Sequence, residues 1–145
     1  MLYPVKVKLE DERCKPYKKH KTDAGWDLRS NNETFTLYRD AKVIVHTGVE
    51  LAIPKGQVGM IVPRSGLGTK YRVELANTVG IIDSYYRGEI LVTITNNGLE
   101  DIIIEKYDRF CQILFLPVNI SDIRIVSVLP SSPRGDSGFG HSGVK

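Results

Sequence analysis

The chain has 145 residues, of which 41% are hydrophobic, so it is long enough to bury one core and is expected to form a single domain. Its formal net charge is +3, but seven Lys or Arg and three acidic residues lie in the first 21 positions, which leaves 13 basic against 14 acidic residues afterwards. A nearly neutral body argues against a nucleic-acid-binding domain, and no apolar run approaches the roughly 18 residues needed to cross a membrane.

Short β-rich runs follow one another along the chain, separated by Pro, Gly, Asn and Asp clusters. In the first run Val5, Val7 and Leu9 alternate with lysines, and a period of two is typical of a half-buried strand. Further strands are predicted at residues 43–45, 58–62, 71–75, 90–94, 102–104, 111–118 and 123–128. A single helical turn is predicted at residues 65–70, with Ser65 as its cap. The pattern predicts an all-β fold, a jelly-roll-like antiparallel barrel or sandwich rather than βαβ units.

The N-terminal segment and the two cysteines indicate the expected environment of the protein. The basic residues 15–21 are interpreted as a solvated loop rather than an electrostatic tether. Cys14 and Cys111 are predicted to be free thiols in a reducing compartment, because Lys6 and Lys8 interrupt the first apolar segment and argue against a secretion signal. The expected location is the cytoplasm, or the host-cell cytoplasm or nucleus if the protein is viral.

The composition changes after Pro130. Residues 131–143 include five Ser or Pro and four Gly, and such a segment cannot fill a core. We therefore expect one β domain over residues 1–130 and a flexible Gly- and Ser-rich C-terminal arm over residues 131–145. Phe139 stands between two glycines, with Arg134 before it and Ser142 after it. These residues suit an arm that closes over an anionic aromatic ligand.

Charged residues within Gly-containing segments are the candidates for chemistry. Arg64, Ser65 and Gly66 offer a guanidinium, a hydroxyl and an unhindered backbone N–H, which are groups that bind phosphate. Asp27 and Asp83 are carboxylates in similar surroundings. Taken singly, each of these segments is more typical of an ordinary turn. The sequence has no P-loop motif and no Cys-x-x-Cys or His-x-x-x-His spacing, which argues against P-loop and zinc chemistry.

Five of these segments, taken in order, closely resemble the five motifs of the trimeric dUTPase family. They lie at residues 23–28 (DAGWDL), 63–67 (PRSGL), 77–88 (NTVGIIDSYYRG), 108–113 (DRFCQI) and 134–143 (RGDSGFGHSG). The resemblance covers nearly the whole chain. Three positions depart from the usual family pattern: Tyr85 stands where Asp is frequent, Phe110 and Cys111 replace Ile-Ala, and His141 replaces Ser.

The resemblance implies a dUTP diphosphatase that hydrolyses dUTP to dUMP and pyrophosphate with Mg²⁺, by in-line attack of water at the α-phosphorus. Such an enzyme limits uracil incorporation into DNA and supplies dUMP for dTMP synthesis. Asp83 would orient and deprotonate the water, and Asp27 would hold Mg²⁺ through a bound water. The substrate-binding residues implied are Arg64, Ser65, Gly66, Asn77, Gly80, Ile82, Tyr86, Gln112, Arg134, Phe139, Gly140 and Ser142.

The family resemblance also implies a homotrimer with shared active sites. The segments of Asp27, Arg64 and Gln112 would come from one subunit, that of Asp83 from a second, and the arm from a third. No direct contact with nucleic acid or membrane is expected. Two alternatives stay open: a dCTP deaminase of related fold, recognisable by ammonia release from dCTP, and a nucleotide-gated binding module whose arm signals occupancy to a protein partner.

Overall fold

The computed structural model describes residues 4–138, and this part of the chain forms ten strands, one α-helix and one 3-10 helix. The strands are β1 (Lys6–Leu9), β2 (Trp26–Arg29), β3 (Phe35–Leu37), β4 (Lys42–Ala52), β5 (Gln57–Pro63), β6 (Val73–Leu75), β7 (Gly80–Ile82), β8 (Glu89–Asn96), β9 (Ile102–Ile104) and β10 (Arg109–Pro117). The helix α1 (Ser65–Tyr71) links β5 to β6, and the 3-10 helix (Glu12–Cys14) follows β1. Between residues 4 and 138, none of the helices is long and apolar enough to span a membrane.

Two four-stranded antiparallel sheets form the body, in the orders β1-β4-β8-β6 and β2-β10-β5-β7, and β3 pairs with β9 beside them. The core lies between the sheets because apolar side chains alternate along the strands. In β8, Ile90, Val92 and Ile94 are buried, and in the other sheet Ile61 and Ile113 meet them. Each such side chain contributes about 1.5–3 kcal/mol on burial. The prediction of an all-β, jelly-roll-like sandwich is confirmed.

Six of the predicted strands correspond to strands of the structure, namely β1, β4, β5, β8, β9 and β10. The strand predicted at residues 71–75 begins later, because Tyr71 ends α1 and Arg72 takes a left-handed conformation with φ of 55°. The prediction that Ser65 caps the helix is wrong. Arg64 occupies the N-cap position, without a side-chain capping hydrogen bond, and Ser65 is the first helical residue.

The strand predicted at residues 123–128 is also wrong for the described chain. No residue between 118 and 138 belongs to a strand, and Ile123 and Ile125 are each 94% exposed. A strand needs a neighbour to satisfy its backbone N–H and C=O groups, and the described chain brings no other strand to this segment. The apolar residues alternate in this segment, but no other part of the described chain buries them.

A bulge interrupts the pairing of β4 with β8. His46 pairs with Leu91 and Glu50 pairs with Glu89, so four steps along β4 correspond to two along β8. Residues 47–49 form this β4 bulge, in which Gly48 has a φ of 64°. Side chains replace the missing ladder bonds: Thr47 Oγ1 donates to the Ile90 carbonyl at 2.8 Å, and the Glu89 carboxylate accepts from Gly48 N–H at 2.8 Å. The bulge fixes the first residues of β8.

The cysteines and the basic N-terminal segment agree with their interpretation from sequence. Cys14 and Cys111 are both free and buried. Burial raises the pKa of both thiols, and the negative charge of Asp27 adds to the effect at Cys111. Lys15 and Lys19 are exposed, as expected in a solvated loop. The buried thiols therefore stay protonated near neutral pH and are poor nucleophiles.

Candidate active site

Asp27 and Gln112 lie on adjacent strands at one end of the second sheet, and Arg64 lies beside them at the end of a third strand. β10 pairs with both β2 and β5, and its register sets Gln112 opposite Asp27 on one side and opposite Val62 on the other. Arg64 follows β5 directly. Asp27 Oδ2 forms an ion pair with Arg64 Nε at 3.2 Å and accepts a hydrogen bond from Arg109 Nη1 at 3.1 Å. The Asp27 side chain is 19% exposed, so this ion-pair cluster is partly shielded from water but opens to the surface.

Arg109 is a member of this cluster to which the sequence assigned no role. Besides its contact with Asp27, its carbonyl accepts from Arg64 Nη1 at 2.6 Å. Its guanidinium lies 4.7 Å from the centroid of the Tyr17 ring. Tyr17 is itself fixed to Asp27 by two backbone hydrogen bonds of 2.9 and 2.8 Å. The pair Asp108–Arg109 in the fourth motif signalled Arg109, whereas nothing in the sequence pointed to Tyr17.

The amide of Gln112 lies over a glycine. Its Nε2 donates to the Pro63 carbonyl at 3.1 Å, which spans the gap between β10 and the end of β5. A Cβ at Gly25 would overlap Gln112 Oε1 and lie 3.1 Å from Cδ. The glycine of the first motif is therefore required for the close approach of the Gln112 side chain, and not for an unusual backbone angle.

The cluster offers one carboxylate to a metal ion rather than a cage. Among residues 4–138, no group of three or more His, Cys, Asp or Glu side chains is placed to hold a metal. Within the same range Asp27 Oδ1 makes no hydrogen bond, while Oδ2 faces the two arginines. Mg²⁺ is usually held by one or two carboxylates together with substrate phosphates and water. The donor set present at Asp27 fits that mode of binding.

Asp83 lies on an exposed loop, residues 83–88, whose residues form hydrogen bonds with one another. Tyr86 N–H donates to the Asp83 carbonyl at 3.0 Å, and Arg87 Nη1 donates to the carbonyls of Ser84 and Tyr86 at 2.7 and 2.8 Å. Among residues 4–138, Asp83 forms no ion pair. Its carboxylate is therefore held by the shape of the loop and is open to solvent.

Asn77 lies in a tight turn between β6 and β7. Thr78 N–H donates to the Leu75 carbonyl at 2.9 Å, and Val79 N–H donates to the Asn77 carbonyl at 2.7 Å. Thr78 takes a φ of 66°, which is uncommon for a β-branched residue. The segment 77–82 is thus a turn followed by strand β7, which contains Gly80 and Ile82.

The register of β5 and β7 separates Asp83 from the ion-pair cluster. Gly59 pairs with Ile82 and Ile61 with Gly80, so Asp83 lies beside the start of β5 while Arg64 follows its end. Six residues of extended strand correspond to about 20 Å at 3.4 Å per residue. Within one chain, Asp83 is therefore too far from Arg64 for both to contact the same phosphate group.

The arm is described only in part. Arg134 Nε donates to the Ser137 carbonyl at 3.0 Å within an exposed turn, and residues 131–138 are all exposed. Arg134 is therefore not brought to the ion-pair cluster within the described chain. Phe139, Gly140 and Ser142, which the sequence assigns to substrate binding, lie outside the described residues.

Comparison with known proteins gives consistent matches over the whole chain. A family model described as dUTPase matches residues 12–143, a range that includes all five motif segments. The deoxyuridine 5'-triphosphate nucleotidohydrolase of Escherichia phage T5 is 38% identical over 148 residues, covering 97% of this chain and 99% of the relative. The protein of the same description from Anaeromyxobacter sp. (strain Fw109-5) is 40% identical over 143 residues, covering 96% and 97%.

Solved structures give the same result. The Staphylococcus bacteriophage 80alpha dUTPase with dUPNHPP superposes with a TM-score of 0.88 at 30% identity, covering 99% of this chain and 100% of that one. A mutant dUTPase from phage phi11 of S. aureus, whose structure reveals the coordination of a structural Mg(II) ion, gives a TM-score of 0.77 at 27% identity, covering 87% and 98%. The likeness extends over both sheets.

Proposed function

The chain belongs to the dUTPase family and hydrolyses dUTP, and we propose that it does so by Mg²⁺-assisted in-line attack of water at the α-phosphorus. The observation that carries this proposal is the grouping of Asp27 and Gln112 on adjacent strands with Arg64, which follows β5. A guanidinium, an amide and a carboxylate with one open oxygen form a surface suited to a metal-bound polyphosphate. The reaction would limit uracil incorporation into DNA and supply dUMP for dTMP synthesis.

The triphosphate is held by Arg64, Ser65, Gly66 and Gln112. Asp27 fixes the Arg64 guanidinium through Nε at 3.2 Å, so that the cation is oriented before substrate arrives. Asp27 would hold Mg²⁺ through a bound water. Mg²⁺, when bound, neutralises charge on the phosphates. Support for this metal comes from the donor set at Asp27, where Oδ1 makes no hydrogen bond among residues 4–138.

Asp83 is the general base. It accepts a proton from the attacking water as the new O–P bond forms at the α-phosphorus, and the bond to the bridging oxygen breaks to release pyrophosphate. The exposed position of Asp83 and its lack of an ion pair among residues 4–138 support this role, because the carboxylate is not neutralised by a neighbour.

Uracil is selected by the segment 77–82, where Asn77 and the backbone of Gly80 and Ile82 read the edge of the base. Each polar group left unpaired by cytosine costs about 1–3 kcal/mol, so two mismatches at about 2 kcal/mol each give more than a hundredfold discrimination. Tyr86 packs on the deoxyribose and excludes a 2′-hydroxyl. Phe139 stacks on the uracil face, with a contribution of roughly 1–3 kcal/mol.

A homotrimer with shared active sites is the assembly that we propose. The separation of about 20 Å between Asp83 and Arg64, derived from strand register, supports a site that draws Asp83 from a second subunit. The exposed apolar residues of 118–130, and an apolar cleft of about 640 Å³ lined in part by Val7, Trp26 and Phe115, support association with further copies of the chain. Cyclic assembly would satisfy both features.

The C-terminal arm completes each site. We propose that residues 1–130 form the nucleotide-binding core and that residues 131–145 close over bound nucleotide. Arg134, Gly140 and Ser142 would then contact phosphate. The exposure of residues 131–138 and their Gly and Ser content support a segment that gains its contacts from the ligand.

Hydrolysis in water labelled with ¹⁸O tests the position of attack. The purified protein is given dUTP, dTTP, dCTP and UTP in parallel, with Mg²⁺ or with EDTA. We expect pyrophosphate from dUTP, with UTP and dCTP at least a hundredfold poorer as substrates, dependence on Mg²⁺, and label in dUMP. Label in pyrophosphate would indicate attack at the β-phosphorus, and dUDP with inorganic phosphate would indicate attack at the γ-phosphorus. Ammonia from dCTP would instead support the deaminase alternative.

A further inference from the structure

The ring of Tyr86 is held in place although it is 44% exposed. Its hydroxyl donates to the Glu89 carbonyl at 2.9 Å, so that the side chain folds back along its own loop. The ring crosses Gly88 at close range: a Cβ on that residue would lie 2.5 Å from Tyr86 Oη, 2.8 Å from Cζ and 3.2 Å from Cε2. Any larger residue at position 88 would therefore displace the ring.

Close approach of the ring, and not backbone conformation, accounts for glycine at position 88. The glycines with a left-handed φ in the described chain are Gly48, Gly56 and Gly135, and Gly88 is not among them. Alanine can adopt the Gly88 backbone without strain, and the residue lies in an exposed loop. A methyl group there would move the ring of Tyr86 and leave the fold intact.

The side chain of Glu89 is anchored to β4, at and beside the β4 bulge. Its Oε1 accepts from Gly48 N–H at 2.8 Å, and His46 Nδ1 lies 2.9 Å from its Oε2. The Glu89 side chain is only 25% exposed, so these contacts are partly screened from water. The carbonyl that receives the Tyr86 hydroxyl thus belongs to a residue whose side chain is fixed to the neighbouring strand.

We propose that Gly88 and Glu89 are positioning residues. They hold the ring of Tyr86 in the position in which it excludes a 2′-hydroxyl. The inference rests on the proposed function, in which Tyr86 packs on the deoxyribose. Gly88 supplies the space that the ring crosses, and Glu89 supplies the acceptor that stops its rotation. Discrimination between a deoxyribonucleotide and a ribonucleotide depends on a single added oxygen, so a small displacement of the ring is enough to admit it.

The Gly88→Ala variant tests the space beneath the ring. The readout is the ratio of kcat/KM for dUTP to kcat/KM for UTP, which a general loss of activity does not change. We expect this ratio to fall about tenfold or more, with thermal unfolding and far-UV circular dichroism as in the wild type. The matched control is Ser84→Ala in the same loop, which should leave the ratio unchanged. An unchanged ratio in folded Gly88→Ala would overturn the proposal.

A double-mutant cycle assigns the effect to the ring. Tyr86→Ala alone should lower the ratio, and adding Gly88→Ala to it should have no further effect, because there is no ring left to displace. A further fall in the double variant would show that Gly88 acts on the loop and not through Tyr86. If Tyr86→Ala leaves the ratio unchanged, the proposed role of Tyr86 fails instead. If the wild type does not prefer dUTP to UTP, the proposed specificity itself fails.

Substitutions of Glu89 test the anchor independently. Glu89→Gln keeps an acceptor for Gly48 N–H and nearly the same side-chain volume, so its ratio should stay within about threefold of the wild type. Glu89→Ala loses both side-chain contacts and should lower the ratio toward that of Gly88→Ala. Equal ratios in Glu89→Ala and wild type would show that the carbonyl needs no anchor. A full loss in Glu89→Gln would assign the effect to charge rather than to position.

Discussion

A methyl group added at Gly25 is expected to impair phosphate binding without unfolding the protein. The new Cβ would overlap Gln112 Oε1 and lie 3.1 Å from Cδ, so the amide must rotate away and lose its hydrogen bond to the Pro63 carbonyl. Such a bond contributes about 0.5–1.5 kcal/mol, and the displaced atoms end a flexible side chain, so the free energy of unfolding should fall by about 1 kcal/mol. A hydrogen bond from Gln112 to a charged phosphate is stronger, about 1.5–3 kcal/mol. Its loss corresponds to a decrease of roughly 10- to 100-fold in kcat/KM.

The assay for Gly25→Ala combines urea unfolding with pyrophosphate release from dUTP. Gln112→Ala supplies the reference, because it removes the amide without adding a methyl group. In the Gln112→Ala background, Gly25→Ala should have no further effect on kcat/KM, since the side chain it displaces is absent. Wild-type kcat/KM in Gly25→Ala would refute the reasoning. A loss of several kcal/mol of stability would refute it as well, because the glycine would then be required by the fold.

Three further results are expected. Asp83→Asn should fold and bind dUTP but turn over about 10² to 10⁴ times more slowly, since the amide keeps the shape and cannot accept the proton; near-normal turnover would exclude Asp83 as the base. Chains truncated after Pro130 should lack activity alone and regain part of it when mixed with full-length Asp83→Asn subunits; no recovery after verified subunit exchange would indicate that each site is built within one chain. Burial raises the pKa of the Cys14 and Cys111 thiols, so a disulfide reagent at pH 8 should modify neither until urea unfolds the chain, and rapid modification of the native protein would contradict this.

Strand positions could be predicted where alternation extends over several residues. In β8 the apolar residues Ile90, Val92 and Ile94 recur at every second position, and the structure buries these three. The strands β3 and β7 have three residues each, which is too short for a period to be recognised. Tyr71 fitted the alternation of the next strand, but the helix that precedes it continues through this residue. Local pattern does not reveal where a helical turn ends when an apolar residue suits both elements.

The candidate site was predictable as a set of residues but not as an arrangement. The motifs identified Asp27, Arg64 and Gln112, whereas their neighbourhood depends on the register of β2, β10 and β5, which no local pattern encodes. Tyr17 is a clear example, because it joins the cluster through an isolated backbone bridge to Asp27. The position of Arg109 over the Tyr17 ring likewise depends on this contact between distant segments.

The two halves of the candidate site differ in how they are held, and this difference bears on assembly. Asp27, Arg64 and Gln112 are partly buried and are fixed by contacts among three strands, so one folded chain orients them. Asp83 and Asn77 are exposed and are fixed only by hydrogen bonds within their own loop and turn. Groups exposed in this way can approach a surface on another molecule without first breaking contacts in their own chain. Because register separates the two halves by about 20 Å, the proposed homotrimer would bring together two halves that each form when its own chain folds.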